Sequence, residues 1–216
     1  QTNPWDTVYD PSGVQYAYEP ARAHKLLTEA GWTTVGKGLR RNTKGDSLQF
    51  DLMTTAGNKS RELIQQVLQS QWREVGVDIR LRNEPARVFF GDTVSYRKFP
   101  HMAMYAWISA PRGVPRTTLH STQIPAKDNG WSGQNYPGFT HAAMDKVLDE
   151  VEVVCAPKPN KALWHDLQRI YAKELPVLPL YFRANPFIMP KWLKGVTPTG
   201  HQFTSALWVE HWRAAP

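Results

Sequence analysis

The sequence predicts an α/β fold, and three observations carry that expectation. LQFDLMTT and VDIRL alternate apolar and polar residues at the period of a strand, whereas KSRELIQQVLQSQWREVG between them repeats at helical spacing. Strand, helix and strand joined by short turns make a βαβ unit, whose two strands are expected to run parallel. With 216 residues, 41% of them hydrophobic and 21% charged, the chain can bury the core of one or two domains.

In chain order, QTNPWDTVYDPSG reads as irregular. EPARAHKLLTEAGW reads as a short helix with Pro20 in its first turn, Leu26 and Leu27 on one face and Gly31 at its end. The densest basic cluster, KGLRRNTKG from Lys37 to Gly45, reads as an exposed hairpin among glycines. Leu48, Phe50 and Leu52 then alternate as a half-buried strand requires. Asn58 is placed to cap the next helix, which is expected to turn Leu63, Ile64, Val67, Leu68, Trp72 and Val75 inward and to stop at Gly76. Val77, Ile79 and Leu81 form the second strand of the unit.

ARVFFGDTVSYRK is expected to be a short helix and HMAMYAWIS a buried strand. From Pro111 to Phe139 no period is visible, and a stretch that long without structure in a compact domain points to function. Two helices follow. The first starts at Thr140 and carries Met144, Val147, Leu148 and Val151 inward; after Pro157 and Pro159 the second is capped by Asn160 and buries Leu163, Trp164, Leu167, Ile170 and Tyr171. ELPVLPLYFRANPFIMP reads as an extended crossing, confined by Pro176 and Pro179 to an edge or hinge. The tail is aromatic and irregular, and the chain shows no internal repeat.

Composition excludes several function classes. The net charge of +7 is scattered rather than gathered in a helical stripe, so no nucleic-acid partner is expected. No run of about 18 apolar residues exists, hence no spanning helix. The opening QTNPWDTVYD carries neither an initiating Met nor a signal sequence, as expected of a mature or trimmed product. Cys155 is the single cysteine, which rules out an intrachain disulfide and suggests a buried thiol. The seven histidines form no HExxH pair, and no metal or other cofactor is expected. Ser132 lies in GWSGQ, but Gln134 stands where a nucleophile elbow needs glycine, so no catalytic residue is assigned and an enzyme is not expected. His141 and Asp145, one turn apart, read as a surface pair.

A pattern then emerges across nearly the whole chain. YEPARAHKLLTEAGW, the hairpin with LQFDLMTT, RELIQQVLQSQWREVGVDIRL, FTHAAMDKVLDEVE and ALWHDLQRIYAKELPVLPLYF, in that order, resemble the solute-binding proteins of peptide-type ABC importers, extracellular solute-binding family 5. The resemblance implies the C-terminal lobe of a two-lobed, type II periplasmic-binding-protein-like fold, with a mixed sheet flanked by helices. Residues 1–184 would be most of the second lobe, and residues 185–216, starting at Asn185, would return to a first lobe that is largely absent. It implies a periplasmic or otherwise extracytoplasmic, membrane-associated receptor. Such a receptor would be monomeric, capture a small peptide or related solute and deliver it to ABC permease subunits. The alternative is a standalone or regulatory protein-interaction domain derived from the same fold.

In the family, the strand matching HMAMYAWIS carries a Trp and, three residues later, an Asp that anchors the amino terminus of a bound peptide. Here Trp107 is followed by Ile108, Ser109 and Ala110, so the Asp position is Ala110. Arg112 and Arg116 come next with Thr117 and Thr118, which suits an acidic group on the solute or leaves two solvated loop residues; both readings stay open. The turn NGWSGQNYPGF matches a rim turn of the family. The candidate ligand-binding residues are therefore Tyr105, Trp107, Ser109, Arg112, Arg116, Trp131, Asn135 and Tyr136.

Overall fold

The computed structural model describes residues 6–34, 38–108, 113–183, 186–198 and 205–215, and it divides into two compact units. The first comprises Val14–Ala106 and Arg116–His141. Its opening helix α1, Pro20–Glu29, begins on proline as expected. Leu27 packs with Ala23 and Trp32 against a core of Leu48, Leu52, Val75, Val77 and Ile79. Leu26, expected beside it, is exposed, because Ala23 and Leu27 share a face at i, i+4 and Leu26 lies a third of a turn away.

Strands β1 (Thr33–Thr34) and β2 (Arg40–Arg41) pair antiparallel. The expected exposed basic hairpin is corrected at Arg40, which is only 2% exposed. Its Nε donates to the Val75 carbonyl at 2.7 Å. Nη1 donates to the Trp32 carbonyl and the Thr28 hydroxyl, and Nη2 donates to the His24 carbonyl and lies 2.7 Å from His24 Nδ1. Helix ends leave carbonyls without intrahelical partners, and a guanidinium has five donors in a fixed fork to satisfy them.

The central sheet is built from β3 (Gln49–Thr55), β4 (Asp78–Glu84) and β5 (Met102–Ala103) in the order β4-β3-β5. Both pairings are parallel, with Leu52 opposite Leu81 on one side and Met102 on the other. Helix α2, Lys59–Glu74, crosses from β3 to β4, which is the βαβ unit read from the sequence. Asn58 caps it through Oδ1, which accepts from the Arg61 amide. Leu68 and Trp72 pack on the core, but Leu63 and Val67, expected inward, are exposed. The inward face runs instead through Gln65, which donates to the Leu52 carbonyl, so a polar residue tethers the helix to its strand.

After β4 a turn of helix, α3 (Ala86–Val88), continues into a π-helical turn, Phe89–Val94. The buried strand expected over HMAMYAWIS shortens to β5, and Trp107 and Ile108 are 52% and 66% exposed. Thr54 explains where pairing stops: its hydroxyl donates to the Met104 carbonyl at 2.7 Å, replacing a backbone donor. The unit ends in α4 (Arg116–Leu119) and single turns of 3-10 helix at Ser121–Gln123 and Lys127–Asn129.

The second unit contains the described parts of Gln1–Gly13, Trp107–Pro115 and Ala142–Pro216. Helix α5, Ala142–Val153, buries Met144, Val147, Leu148 and Val151 as its spacing predicts. Helix α6 runs from Pro157 to Glu174 and buries Trp164 and Leu167. The expected Asn160 cap is displaced, because Pro157 and Pro159 fit the first turn, where no amide donor is needed. Asn160 instead donates to the Val151 and Val154 carbonyls at the end of α5.

Cys155 lies in the short link between α5 and α6 and is exposed, not buried as its type suggested. Val8 and Asp10 are both bridged to α6 by the Gln168 amide. Residues 175–183 and 186–190 pair with no strand, and β6 (Leu193–Lys194) pairs antiparallel with β7 (Arg213–Ala214). Asn185 and Phe203 lie outside the described residues. Among the described residues no helix is long and apolar enough to cross a membrane.

Candidate functional site

In the first unit the chain reverses direction of travel across the sheet. It passes from β3 to β4 on one side and then returns past β3 to β5 on the other. In parallel sheets such a reversal opens a crevice at the carboxyl ends of the strands, where ligands sit. Those ends are Thr55, Glu84 and Ala103.

Aromatic side chains gather there. Phe89 is fully buried on Met53 and Val94, and Phe90 beside it is 41% exposed. Tyr105, just past β5, meets both edge-on at 6.2 and 5.9 Å, and Tyr136 meets Tyr105 at 6.5 Å. Edge-to-face contacts of this kind hold rings in fixed orientation. Tyr105 and Tyr136, both read from the sequence, are therefore brought together as half-buried neighbours.

The rim turn is held from beneath by Asn135. Its side chain is completely buried; Nδ2 donates to the His120 and Phe139 carbonyls, and Oδ1 accepts from the Phe139 amide. The backbone amides of Gln134 and Asn135 donate to the Thr117 and Gln123 carbonyls. Gly133 allows this approach, since a Cβ there would lie 2.2 Å from the Gln123 carbonyl oxygen. All of the Asn135 amide is committed inside the turn. Trp131, at φ 62°, is 37% exposed and meets Tyr96 edge-on at 5.1 Å. Arg116 opens α4, half-buried and engaged.

Trp107 belongs to the second unit and is more than half exposed. Ser109, Ala110 and Arg112 lie outside the described residues. Three features of this region carried no signal in the sequence. Phe89 and Phe90 looked like ordinary helix residues. Arg61, on the first turn of α2, donates from Nη1 to the buried Thr55 hydroxyl at the end of β3. Arg97 stands at φ 52° and donates from Nε to the Tyr136 carbonyl.

Beside Arg61, the Gly57 amide and then Lys59 hold the Glu62 carboxyl below the usual carboxylate range. Among the described residues no group of three or more His, Cys, Asp or Glu side chains is placed to hold a metal ion.

Residues 2–130 match the family model described as bacterial extracellular solute-binding proteins, family 5 Middle. The oligopeptide-binding protein AppA of Bacillus subtilis is 26% identical over 196 residues, which is 88% of this chain and 34% of AppA. The nickel-binding periplasmic protein of Escherichia coli is 26% identical over 186 residues, covering 82% of this chain and 34% of that protein. The oligopeptide-binding protein from Thermus thermophilus, solved with a pentapeptide, superposes with a TM-score of 0.79 at 28% identity, over 90% of this chain and 34% of its own. The chain thus spans about a third of the length of these relatives. Its parallel βαβ sheet flanked by helices is the fold of a lobe of a type II periplasmic binding protein. The chain belongs to the bacterial extracellular solute-binding proteins of family 5.

Proposed function

We propose that the chain is the greater part of the second lobe of an extracytoplasmic receptor that captures a peptide or related solute and hands it to the permease of an ABC importer. Residues 1–184 supply the lobe, and residues 185–216 return toward a first lobe carried by the rest of the protein. The observation that carries the reading is the aromatic arc of Phe90, Tyr105 and Tyr136 at the carboxyl ends of a parallel sheet. Rings fixed at a strand-end crevice offer stacking surface with little entropy left to lose, which is how a binding site is made. Relatives named for oligopeptides support the solute class.

In this reading Tyr105, Tyr136, Trp131 and Arg116 are the ligand-binding residues of the first unit. Asn135 holds the rim turn in shape. With Ala110 where the family places an acidic amine anchor, basic residues are left to recognise an acidic group instead.

The test is mass spectrometry of whatever small molecule leaves the complete protein, purified from its native compartment, on denaturation. A released peptide confirms the solute class, whereas a reproducible non-peptide solute would replace it. A protein that is always empty and binds no member of a peptide library would sink the receptor reading.

A further inference from the structure

Strand β4 is one edge of the central sheet, since the order is β4-β3-β5. All seven of its residues, Asp78–Glu84, pair with β3. The Asp78 amide donates to the Leu48 carbonyl, and the Glu84 carbonyl accepts from the Ala56 amide, so both ends of the strand aim these groups at β3. Backbone groups alternate sides along a strand. Arg80 and Arg82 therefore complete the ladder with β3, while Ile79, Leu81 and Asn83 turn their amides and carbonyls outward. Gln69 of α2 donates to the Ile79 carbonyl at 2.6 Å. The amides and carbonyls of Leu81 and Asn83 have no hydrogen-bond partner among the described residues.

The side chains along this row are patterned. Ile79 and Leu81 lie on the face that packs against the core, so Arg80 and Arg82 lie on the opposite face. Both arginines are exposed. Arg82 leans back to the buried Asp51 at 3.3 Å, and Arg80 has no acidic partner among the described residues. The two acids of the strand are already engaged: Asp78 pairs with Arg73 at 3.6 Å, and Glu84 accepts from the Thr93 hydroxyl at 2.6 Å. The open edge is thus basic at its centre. A second copy of β4 is a poor match for it. Two such strands, fully overlapped and antiparallel about Leu81, would set Arg80 against Arg82 and Asp78 against Glu84, like charge on like.

We propose that the outer edge of β4 is a docking surface for an extended acidic segment of another protein, added to the sheet as a further strand. Its main chain pairs with Leu81 and Asn83, and carboxylates at alternate positions stand opposite Arg80 and Arg82. The apolar residues between them continue the face of Ile79 and Leu81. This surface runs along the side of the sheet, apart from the crevice at the strand ends, and does not depend on what the crevice binds.

The experiment uses the complete protein and two probes fused to a folded carrier protein too large to be enclosed as a solute. One probe is Thr-Val-Glu-Val-Glu-Val-Thr, and the other has lysine at both glutamate positions. Binding is read by biolayer interferometry against the bare carrier. Wild type is expected to hold the acidic probe about tenfold more tightly than the basic one, because two cross-strand pairs change sign. Arg80→Glu should bring that ratio to unity or below. Asn83→Pro removes one outward amide and no bond to β3, a change that an edge strand tolerates. It should weaken the acidic probe by about fivefold or more. Thermal melts matching wild type establish that each variant is folded, and Arg80→Glu, an exposed substitution, keeps the test open should the proline variant melt early. A wild type that binds neither probe, or both alike, would overturn the proposal. So would an acidic preference untouched by Arg80→Glu, or an affinity for the acidic probe unchanged in folded Asn83→Pro. Each of these failures leaves the receptor reading standing.

Discussion

At the residue scale, two buried polar side chains decide local structure by completing their hydrogen bonds. Arg40 has no carboxylate among its described partners; it is stabilised by neutral acceptors from α1, Trp32 and the end of α2. Arg40→Met would keep much of the volume but strand the Val75 and Trp32 carbonyls in the interior. A loss of about 2–4 kcal/mol is expected, read as a lower urea midpoint in the complete protein. A midpoint unchanged within error would mean that water replaces the guanidinium. Asn135 makes the same argument at the rim. Asn135→Asp removes both donated bonds and sets a carboxylate against the His120 and Phe139 carbonyls, so about 1–3 kcal/mol should be lost. Proteolysis should then cut between residues 129 and 139 first; cleavage elsewhere would show that the turn is held by its backbone bonds alone.

Neither residue announced its role in the sequence. Arg40 sits in the most basic stretch of the chain, where charge suggests exposure, and only the meeting of two helix ends shows otherwise. Asn135 reads in the sequence as a ligand-binding residue of the rim turn, and its buried amide is bonded to the His120 and Phe139 carbonyls and the Phe139 amide. Composition and spacing identify polar residues in unusual places. They do not say on which side the partners lie.

At the element scale, legibility follows periodicity. The parallel βαβ unit and the inward face of α5 were readable because each is long and repeats its apolar residues at one period. The short strand β5 was overread, since a single Thr54 hydroxyl ends its pairing. The attachment of the opening segment to α6 was not readable at all, because its partners are separated by more than 150 residues. Asp10 is central to that attachment. Its carboxylate accepts from the Ser12 hydroxyl and amide and pairs with Arg169 at 3.2 Å, with His165 Nδ1 at 3.9 Å. The Ser12 hydroxyl above all, helped by the Ser12 amide, His165 and Arg169, lowers its pKa from the ordinary 3.8.

The sign follows from linkage. A carboxylate whose folded pKa is depressed stabilises the fold above its unfolded value and loses that contribution as the pH falls through the folded one. The segment should therefore detach from α6 below about pH 4. Hydrogen exchange of the Asp10 amide, which donates to Gln168, would report this as lost protection on acidification. In Asp10→Asn the protection should already be reduced at neutral pH and should vary less with acid. Protection in the wild type that stays constant on acidification until the whole chain unfolds would rule the attachment out as an acid-sensitive one.

At the scale of the whole molecule, the segment after α6 exposes a succession of apolar side chains. Leu178, Leu180, Tyr181, Phe182, Phe187, Met189 and Trp192 are all exposed, and Ile188 is 97% exposed. Scattered surface apolar residues are ordinary, but a succession along one unpaired segment marks a surface meant to be covered. We propose a first lobe as that cover, to which residues 185–216 would return; the chain spans about a third of the length of its relatives. Expressed alone, the 216-residue chain should enhance the fluorescence of 8-anilinonaphthalene-1-sulfonate and elute from a sizing column as self-associated species. In the complete protein both signs should disappear, and Ile188→Lys with Phe182→Lys should suppress them in the isolated chain. An isolated chain that is already dye-silent and monomeric would contradict the return of residues 185–216 to a first lobe, because the segment would then have found its cover within this chain.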